Sequence, residues 1–218
     1  MLLHKPFIVI LTTAFILLGS LHAQNFDYTY TSYKVLPESR IELQGTTNIN
    51  EFNCYTLELV PEVSALVLPA PKSQSILLKN STVKIKVKSL ECGKEAINRD
   101  LKKTLKGDDY PEILIGLNQI NFEEDKSNKI TINASLEVAG TTKPANLNLT
   151  GEFDSKDSIY YIEGKYKIRL TDFNIEPPQP LFGLIKVHDD IVISFDLALK
   201  HDNNTADLAP VLSKEMYE

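Results

Sequence analysis

Apolar and polar residues alternate with a period of two along most of the chain, which is typical of strands with one buried face. The alternation is clearest at residues 83–88, where aliphatic side chains alternate with lysines, and at 191–199 near the end of the chain. Similar runs occur at 26–30, 41–44, 130–138, 147–149 and 162–170. Tyr55, Leu57 and Leu59 also predict one apolar face of a strand. The pattern therefore predicts a chain made mostly of strands.

Turn-forming residues separate these runs. Residues 140–144, Gly-Thr-Thr-Lys-Pro, predict a hairpin connection, and residues 154–157, Asp-Ser-Lys-Asp, predict a polar turn. Proline cannot donate to the hydrogen-bond ladder of a sheet. The prolines within 176–180 therefore predict a loop or an edge segment at that point.

One helix is predicted, at residues 94–106. Ile97, Leu101 and Leu105 lie at i, i+4 and i+8 and form a narrow apolar stripe, and Gly107 ends the pattern. A single short helix excludes an α/β fold, which needs a helix between most strands. The pattern favours an all-β fold, an antiparallel up-and-down barrel of about eight strands with the helix as a lid or plug. A two-sheet sandwich would give nearly the same pattern.

The first residues have the layout of an export signal. Lys5 supplies a positive charge, residues 7–18 are almost entirely apolar, and small residues lead to Ala23. Residues 1–23 are therefore predicted to be a cleavable signal peptide of a periplasmic or secreted protein, with a retained membrane anchor as the alternative. Residues 24–200 then form one domain without a further membrane-spanning segment, and residues 201–218 form a disordered tail.

Charge and cysteine content narrow the classes of function. The formal net charge is −6, and an acidic chain with interspersed lysine and carboxylate groups is not built to bind nucleic acid. Cys54 and Cys92 are the two cysteines, and export to an oxidising space predicts a disulfide between them. Two unpaired thiols are the alternative. The cysteines and histidines have no spacing typical of a metal site, and no cofactor is predicted.

The sequence gives only weak support for catalysis. It contains no Gly-x-Ser-x-Gly elbow, no glycine-rich phosphate loop and no His-Glu-x-x-His. His188, Asp189 and Asp190 are the best candidates for acid–base chemistry, because paired carboxylates can do such work when their environments differ. Polar residues at the end of a strand more often form a solvated surface. The sequence therefore favours a protein that is not an enzyme.

Four segments, in order along the chain, resemble the YceI-like proteins. They are Asn-Arg-Asp-Leu at 98–101 followed by Tyr-Pro-Glu-Ile at 110–113, Leu-Glu-Val-Ala-Gly-Thr-Thr-Lys-Pro at 136–144, Ile-Arg-Leu-Thr-Asp-Phe at 168–173, and the closing strand 187–199. Asn174 stands where glycine is usual in that family. The resemblance implies a lipocalin-like barrel, not an enzyme, whose interior holds an isoprenoid or other lipid chain.

The sequence also departs from that family. Residues 45–52 differ from the segment that other members often carry, and the pair of cysteines is not general. Residues 176–183, Glu-Pro-Pro-Gln-Pro-Leu-Phe-Gly, place a proline-rich and partly apolar loop where it could cross a barrel mouth and alter access.

The alternation predicts an inward-facing apolar set, and the resemblance implies that this set lines a ligand cavity. The set is Ile113, Ile115, Leu117, Leu136, Val138, Leu147, Leu149, Ile168, Ile193, Phe195 and Leu197. The predicted function is an exported binding protein for an apolar ligand. The alternative is a structural or interaction module of the envelope with a filled core and no ligand. The sequence leaves open whether the chain forms a dimer.

Overall fold

The computed structural model describes residues 29–58, 62–69, 75–123 and 128–202. The predicted signal peptide, residues 1–23, lies outside the described residues. The predicted tail 201–218 begins too early, because His201 still belongs to β11 and Asp202 N donates to the Ser32 carbonyl; the rest of the tail lies outside the described residues. In the part of the chain that is described, no helix is both long and apolar enough to cross a bilayer.

The described residues form eleven strand segments, one α-helix and two short 3₁₀ helices. The strands are β1 Thr29–Val35, β2 Arg40–Thr47, β3 Glu51–Thr56, β4 Glu62–Pro69, β5 Ser75–Lys86, β6 Leu90–Glu91, β7 Glu112–Phe122, β8 Lys129–Val138, β9 Thr141–Asp154, β10 Ile159–Arg169 and β11 Val187–His201. The helix is α1, Glu95–Thr104, and the 3₁₀ helices are Val87–Ser89 and Leu170–Phe173.

These segments combine into an antiparallel barrel of eight strands. β1 and β2 both pair with β11. Next to them, β4 pairs with β1 and β3 pairs with β2. In the following position, β5 pairs with β4 and β6 pairs with β3. Three strands of the barrel are therefore interrupted, and each consists of two segments: β1 with β2, β3 with β4, and β5 with β6. Together with the five continuous strands β7 to β11 they form an up-and-down meander, with α1 between β6 and β7. The first strand pairs with the last, so the sheet closes on itself. The predicted barrel is confirmed over the sandwich.

The three interruptions are neighbours in the sheet, and we call their described residues the break line: residues 36–39, 57–58 and 87–89. The Ser39 hydroxyl accepts a hydrogen bond from Ala198 N at 2.9 Å and lies 3.2 Å from the Ala198 carbonyl oxygen, to which it donates. Leu57 N donates to the Ser89 carbonyl at 2.9 Å. Local hydrogen bonds therefore bridge the wall where the regular ladder stops.

Two local predictions need correction. The helix is shorter than residues 94–106, because Leu105 already leaves helical geometry. The hairpin connection is only Ala139-Gly140, with φ values of 48° and 76°, because a two-residue turn with positive φ matches the twist of the strands. Pro144 instead lies within β9, opposite Ser135 on β8 and before β10 begins to pair, so it removes no ladder bond on its free side.

β3 also turns the opposite face toward the interior from the one that the sequence predicts. Cys54 and Thr56 are buried, whereas Tyr55 and Leu57 are exposed on the outer surface. The Tyr55 ring lies 5.8 Å below the Arg40 guanidinium, which is within the range of a cation–π contact. An aromatic residue can satisfy an outer strand position in this way, so apolar alternation alone did not fix the direction of this strand.

Candidate ligand-binding cavity

The barrel interior contains an apolar cavity of about 440 Å³ beside α1. Strands on both sides of the barrel supply its walls, because the inward residue of each strand recurs every second position. The apolar wall residues on strands are Leu43, Phe52, Cys54, Ile85, Ile113, Ile115, Leu136, Val138, Ile168, Val187, Ile191 and Ile193. The core of this protein is therefore not completely filled by its own side chains.

Helix α1 covers part of this cavity with its apolar stripe. Ile97, Leu101 and Leu105 all line the cavity, whereas the charged residues Asp100 and Lys94 line it toward solvent. The i, i+4 spacing places Ile97 and Leu101 on one helix face, and Leu105 follows directly after the last turn. The stripe that marks the helix in the sequence is thus a wall of the cavity.

A covalent and polar cluster fixes the segment that leads into α1. Cys54 on β3 and Cys92 form a disulfide, as predicted, and Cys54 also lines the cavity. Cys92 N donates to the buried Asn98 Oδ1 at 2.6 Å, and Asn98 Nδ2 donates to Glu91 Oε2 at 2.6 Å. These contacts lower the pKa of Glu91, chiefly through the Asn98 hydrogen bond and then through the backbone N–H of Gly93. The cluster ties the helix to the barrel wall.

A 3₁₀ helix and the residues after it close another side. Leu170, Phe173 and Ile175 are buried and line the cavity. Asn174 adopts φ 56°, the left-handed region in which glycine is usual and asparagine is tolerated. Asp189 accepts hydrogen bonds from both Thr171 N at 2.8 Å and Thr171 Oγ1 at 2.6 Å, which lowers its pKa.

Two chain segments form the mouth of the cavity, and we call them together the mouth tip: residues 45–50 of the β2–β3 hairpin and residues 177–185 before β11. Both contribute lining residues, among them Ile49, Pro180 and Ile185. The predicted proline-rich loop therefore does reach the barrel mouth. The Phe52 ring occupies the space that a side chain on Gly45, its cross-strand partner, would need.

A second apolar cavity of about 80 Å³ lies deeper in the barrel, and Ile115 lines both cavities. Neighbouring inward residues of one strand divide between the two cavities. Leu43 and Ile85 line the larger one, and Ile41 and Val83 line the deeper one. Phe195 and Leu117 also belong to the deeper set. The inward residues thus form two layers along the barrel axis.

Each residue predicted to face inward lies on one of these cavities. The larger cavity receives Ile113, Ile115, Leu136, Val138, Ile168 and Ile193. The deeper cavity receives Leu117, Leu147, Leu149, Phe195 and Leu197. The predicted inward set leaves out the stripe of α1, Phe173 and Ile175, the mouth tip, and the inward residues of β2 and β3. The sequence did predict the helix as a lid or plug and residues 176–183 as a loop at the mouth, but it did not name their residues as cavity walls.

The proposed acid–base trio does not come together. His188 Nδ1 lies 2.8 Å from Thr46 Oγ1, Asp190 pairs with Lys167, and Asp189 holds the 3₁₀ helix. None of the three lines either cavity. Over the described residues there is also no group of three His, Cys, Asp or Glu side chains that could hold a metal ion.

Solved structures with the same fold come from several bacteria. Burkholderia cenocepacia BcnA shares 16% identity with a TM-score of 0.57, over 73% of this chain and 95% of that chain. A polyisoprenoid-binding domain from Saccharophagus degradans, implicated in plant cell wall breakdown, shares 11% identity with a TM-score of 0.57, over 78% of this chain and 98% of that one. A mutant Campylobacter jejuni YCEI protein shares 18% identity with a TM-score of 0.52, over 69% and 84%.

At these identities, the likeness to the solved structures concerns the fold. No curated protein matches the chain significantly. The model of the YceI-like domain, by contrast, matches residues 60–199, which is more than half of the chain and runs from β4 to the end of the barrel. The chain belongs to the YceI-like family.

Proposed function

We propose that this protein is an exported carrier, without enzymatic activity, that holds an isoprenoid or other lipid chain in its barrel. The observation that carries the proposal is the apolar cavity of about 440 Å³. This volume lies within the ~300–1,000 Å³ that is usual for small-molecule sites. The name of the Saccharophagus degradans domain, a polyisoprenoid-binding domain, favours an isoprenoid as the ligand.

The polarity of the walls selects the class of ligand. The polar lining residues are Thr47 and Asn50 at the mouth and Lys94, Asp100 and Thr104 on or beside α1, whereas the other strand residues of the wall are apolar. Of the described buried side chains, the hydroxyls without a hydrogen-bond partner belong to Thr56, Ser81 and Ser194, and none of them lines a cavity. A water molecule inside would lack the two to four polar partners that it needs. Each buried methylene of a ligand would instead contribute about 0.8 kcal/mol.

An empty cavity of this size is expensive to maintain. Wall residues that border unfilled space lose the dispersion contacts that a packed core would give them, which lowers stability relative to such a core. A bound apolar molecule would recover much of this stabilisation, which supports a binding role over a structural module with a filled core.

Native mass spectrometry of protein purified from its own host tests the proposal, and solvent extraction identifies the passenger. Binding of farnesol and palmitate to delipidated protein then locates the site with two matched variants on β11. Ile193→Phe adds bulk inside the cavity, and Val192→Phe adds the same ring at the neighbouring outward position. We expect Ile193→Phe to weaken binding about tenfold, since displacing two methylenes costs about 1.6 kcal/mol.

Val192→Phe should bind as the wild type does. A clean apo mass from the native host, together with no binding of either probe, would remove the proposal. Equal weakening by both variants would place the site outside the cavity.

A further inference from the structure

The mouth tip combines exposed apolar side chains with a complete lack of charge. Charged residues make up 24% of the chain, yet the six residues 45–50 and the nine residues 177–185 contain none. Phe182 is fully exposed, and Ile49, Leu181 and Leu184 are each more than 60% exposed. An exposed apolar cluster on a soluble domain marks an interaction site.

Part of the tip backbone already has its hydrogen-bond partners inside the protein. The five successive N–H groups from Gly183 to Val187 all donate to acceptors within the tip or next to it. Asn48 ties the two segments together: its N donates to the Lys186 carbonyl, its Nδ2 donates to the Leu184 carbonyl, and its Oδ1 accepts from Lys186 N at 2.8 Å. Backbone groups that find partners inside the protein can enter an apolar phase without the large penalty of unpaired polar groups.

The exposed cluster is continuous with the cavity. Ile49 lines the cavity and at the same time stands exposed at the mouth. Pro180 and Ile185, which flank the exposed run, also line the cavity. An apolar path therefore leads from the interior, past Ile49, to the outermost residues of the tip.

We propose that the mouth tip inserts into the surface of a lipid bilayer, so that the cavity opens toward the lipid. The inference rests on the proposed function, because a lipid ligand is stored in the same phase. Phe182 protrudes without shielding from any neighbour, which suits insertion into a fluid interface better than docking into a shaped protein groove. The charged residues that flank the tip, Glu51, Glu176 and Lys186, are exposed at its base, where they can stay at the level of the headgroups.

Flotation with vesicles of phosphatidylcholine, with and without phosphatidylglycerol, tests the docking on the full exported chain. The tip variant is Phe182→Ser with Leu184→Ser. The matched control is Phe153→Ser with Leu57→Ser, which also removes one exposed phenyl and one exposed leucyl side chain, neither of which lines a cavity. All three proteins are taken in their exported, processed form, because an apolar segment such as residues 7–18 would itself partition into vesicles.

We expect the tip variant to lose vesicle partitioning at least tenfold, while the control partitions as the wild type does. Because the tip is uncharged, partitioning should change little with salt. Wild-type partitioning no stronger than that of the tip variant would overturn the proposal. Partitioning that salt abolishes would also overturn it. So would a concentration-dependent dimer that the tip variant alone fails to form, if the tip variant and the wild type partition equally onto vesicles.

Binding of farnesol in the absence of vesicles separates this proposal from the proposed function. The tip variant should bind farnesol as the wild type does, since neither Phe182 nor Leu184 lines the cavity. Tip-dependent flotation by a protein that has a clean apo mass and binds neither farnesol nor palmitate would retain the docking surface and refute the carrier. Farnesol binding together with equal flotation of the wild type and the tip variant would retain the carrier and refute the docking surface.

Discussion

The disulfide between Cys54 and Cys92 should stabilise the barrel far more than any single packing contact at the mouth. The bond closes a loop with a sequence separation of 38. In the chain-entropy model, such a loop lowers the entropy of the unfolded chain by about 13 cal/mol/K, or about 4 kcal/mol at 25 °C. The double variant Cys54→Ala, Cys92→Ala should lose this amount of unfolding free energy.

The same value predicts a clear thermal shift. A domain of roughly 170 residues unfolds with an entropy of about 0.36 kcal/mol/K, so a loss of 4 kcal/mol lowers Tm by about 10 °C. Differential scanning calorimetry measures the shift, and urea unfolding measures the free energy. The fully reduced wild type is the matched control, because it keeps both cysteine side chains and loses only the cross-link.

The variant and the reduced wild type should agree, and Tm should then fall by the amount above in both. A Tm within about 2 °C of the oxidised protein would refute the reasoning, because it would mean that the unfolded chain gains little freedom when the bond is absent. A variant much less stable than the reduced protein would show instead that the buried Cys54 sulfur acts mainly by packing.

Three further changes probe the interior and the helix. Phe195→Ala should cost about 3–5 kcal/mol in urea unfolding and enlarge the deeper cavity, so that longer alkyl probes gain affinity over shorter ones; an unchanged preference would contradict the layered interior. Gly45→Val should push the Phe52 ring into the larger cavity and weaken farnesol binding several-fold, whereas Gly151→Ala, which has room for a Cβ, should not. Because the folded-state pKa of Glu91 is depressed, its contribution to stability is present above the ordinary value of 4.5 and is lost as pH falls through the folded value. Glu91→Gln should flatten this part of the Tm profile below pH 4.5, and an unchanged profile would show that the carboxylate does not hold the helix.

The sequence predicted the inward residues of the long strands because period two is a local property of a strand. Ile113 and Ile193 face the cavity for this reason alone. The alternation failed for Tyr55, which lies on the outer surface beside Arg40 of the neighbouring strand. Nor could it place Phe173, since a 3₁₀ helix of four residues has too few turns to show a period.

The interior volume was beyond prediction as well. An apolar residue such as Ile115 has the same pattern whether it touches another side chain or borders a void. Only the summed positions of α1, the barrel wall and the mouth tip decide how much space remains between them.

The break line divides the barrel wall into two panels with different neighbours. β2, β3 and β6 form the panel beside the mouth, and the disulfide cross-links that panel to the segment leading into α1. β1, β4 and β5 form the other panel, which continues into β7. Since the regular ladder is interrupted between them, local unfolding of the mouth panel need not break the pairs among β1, β4 and β5.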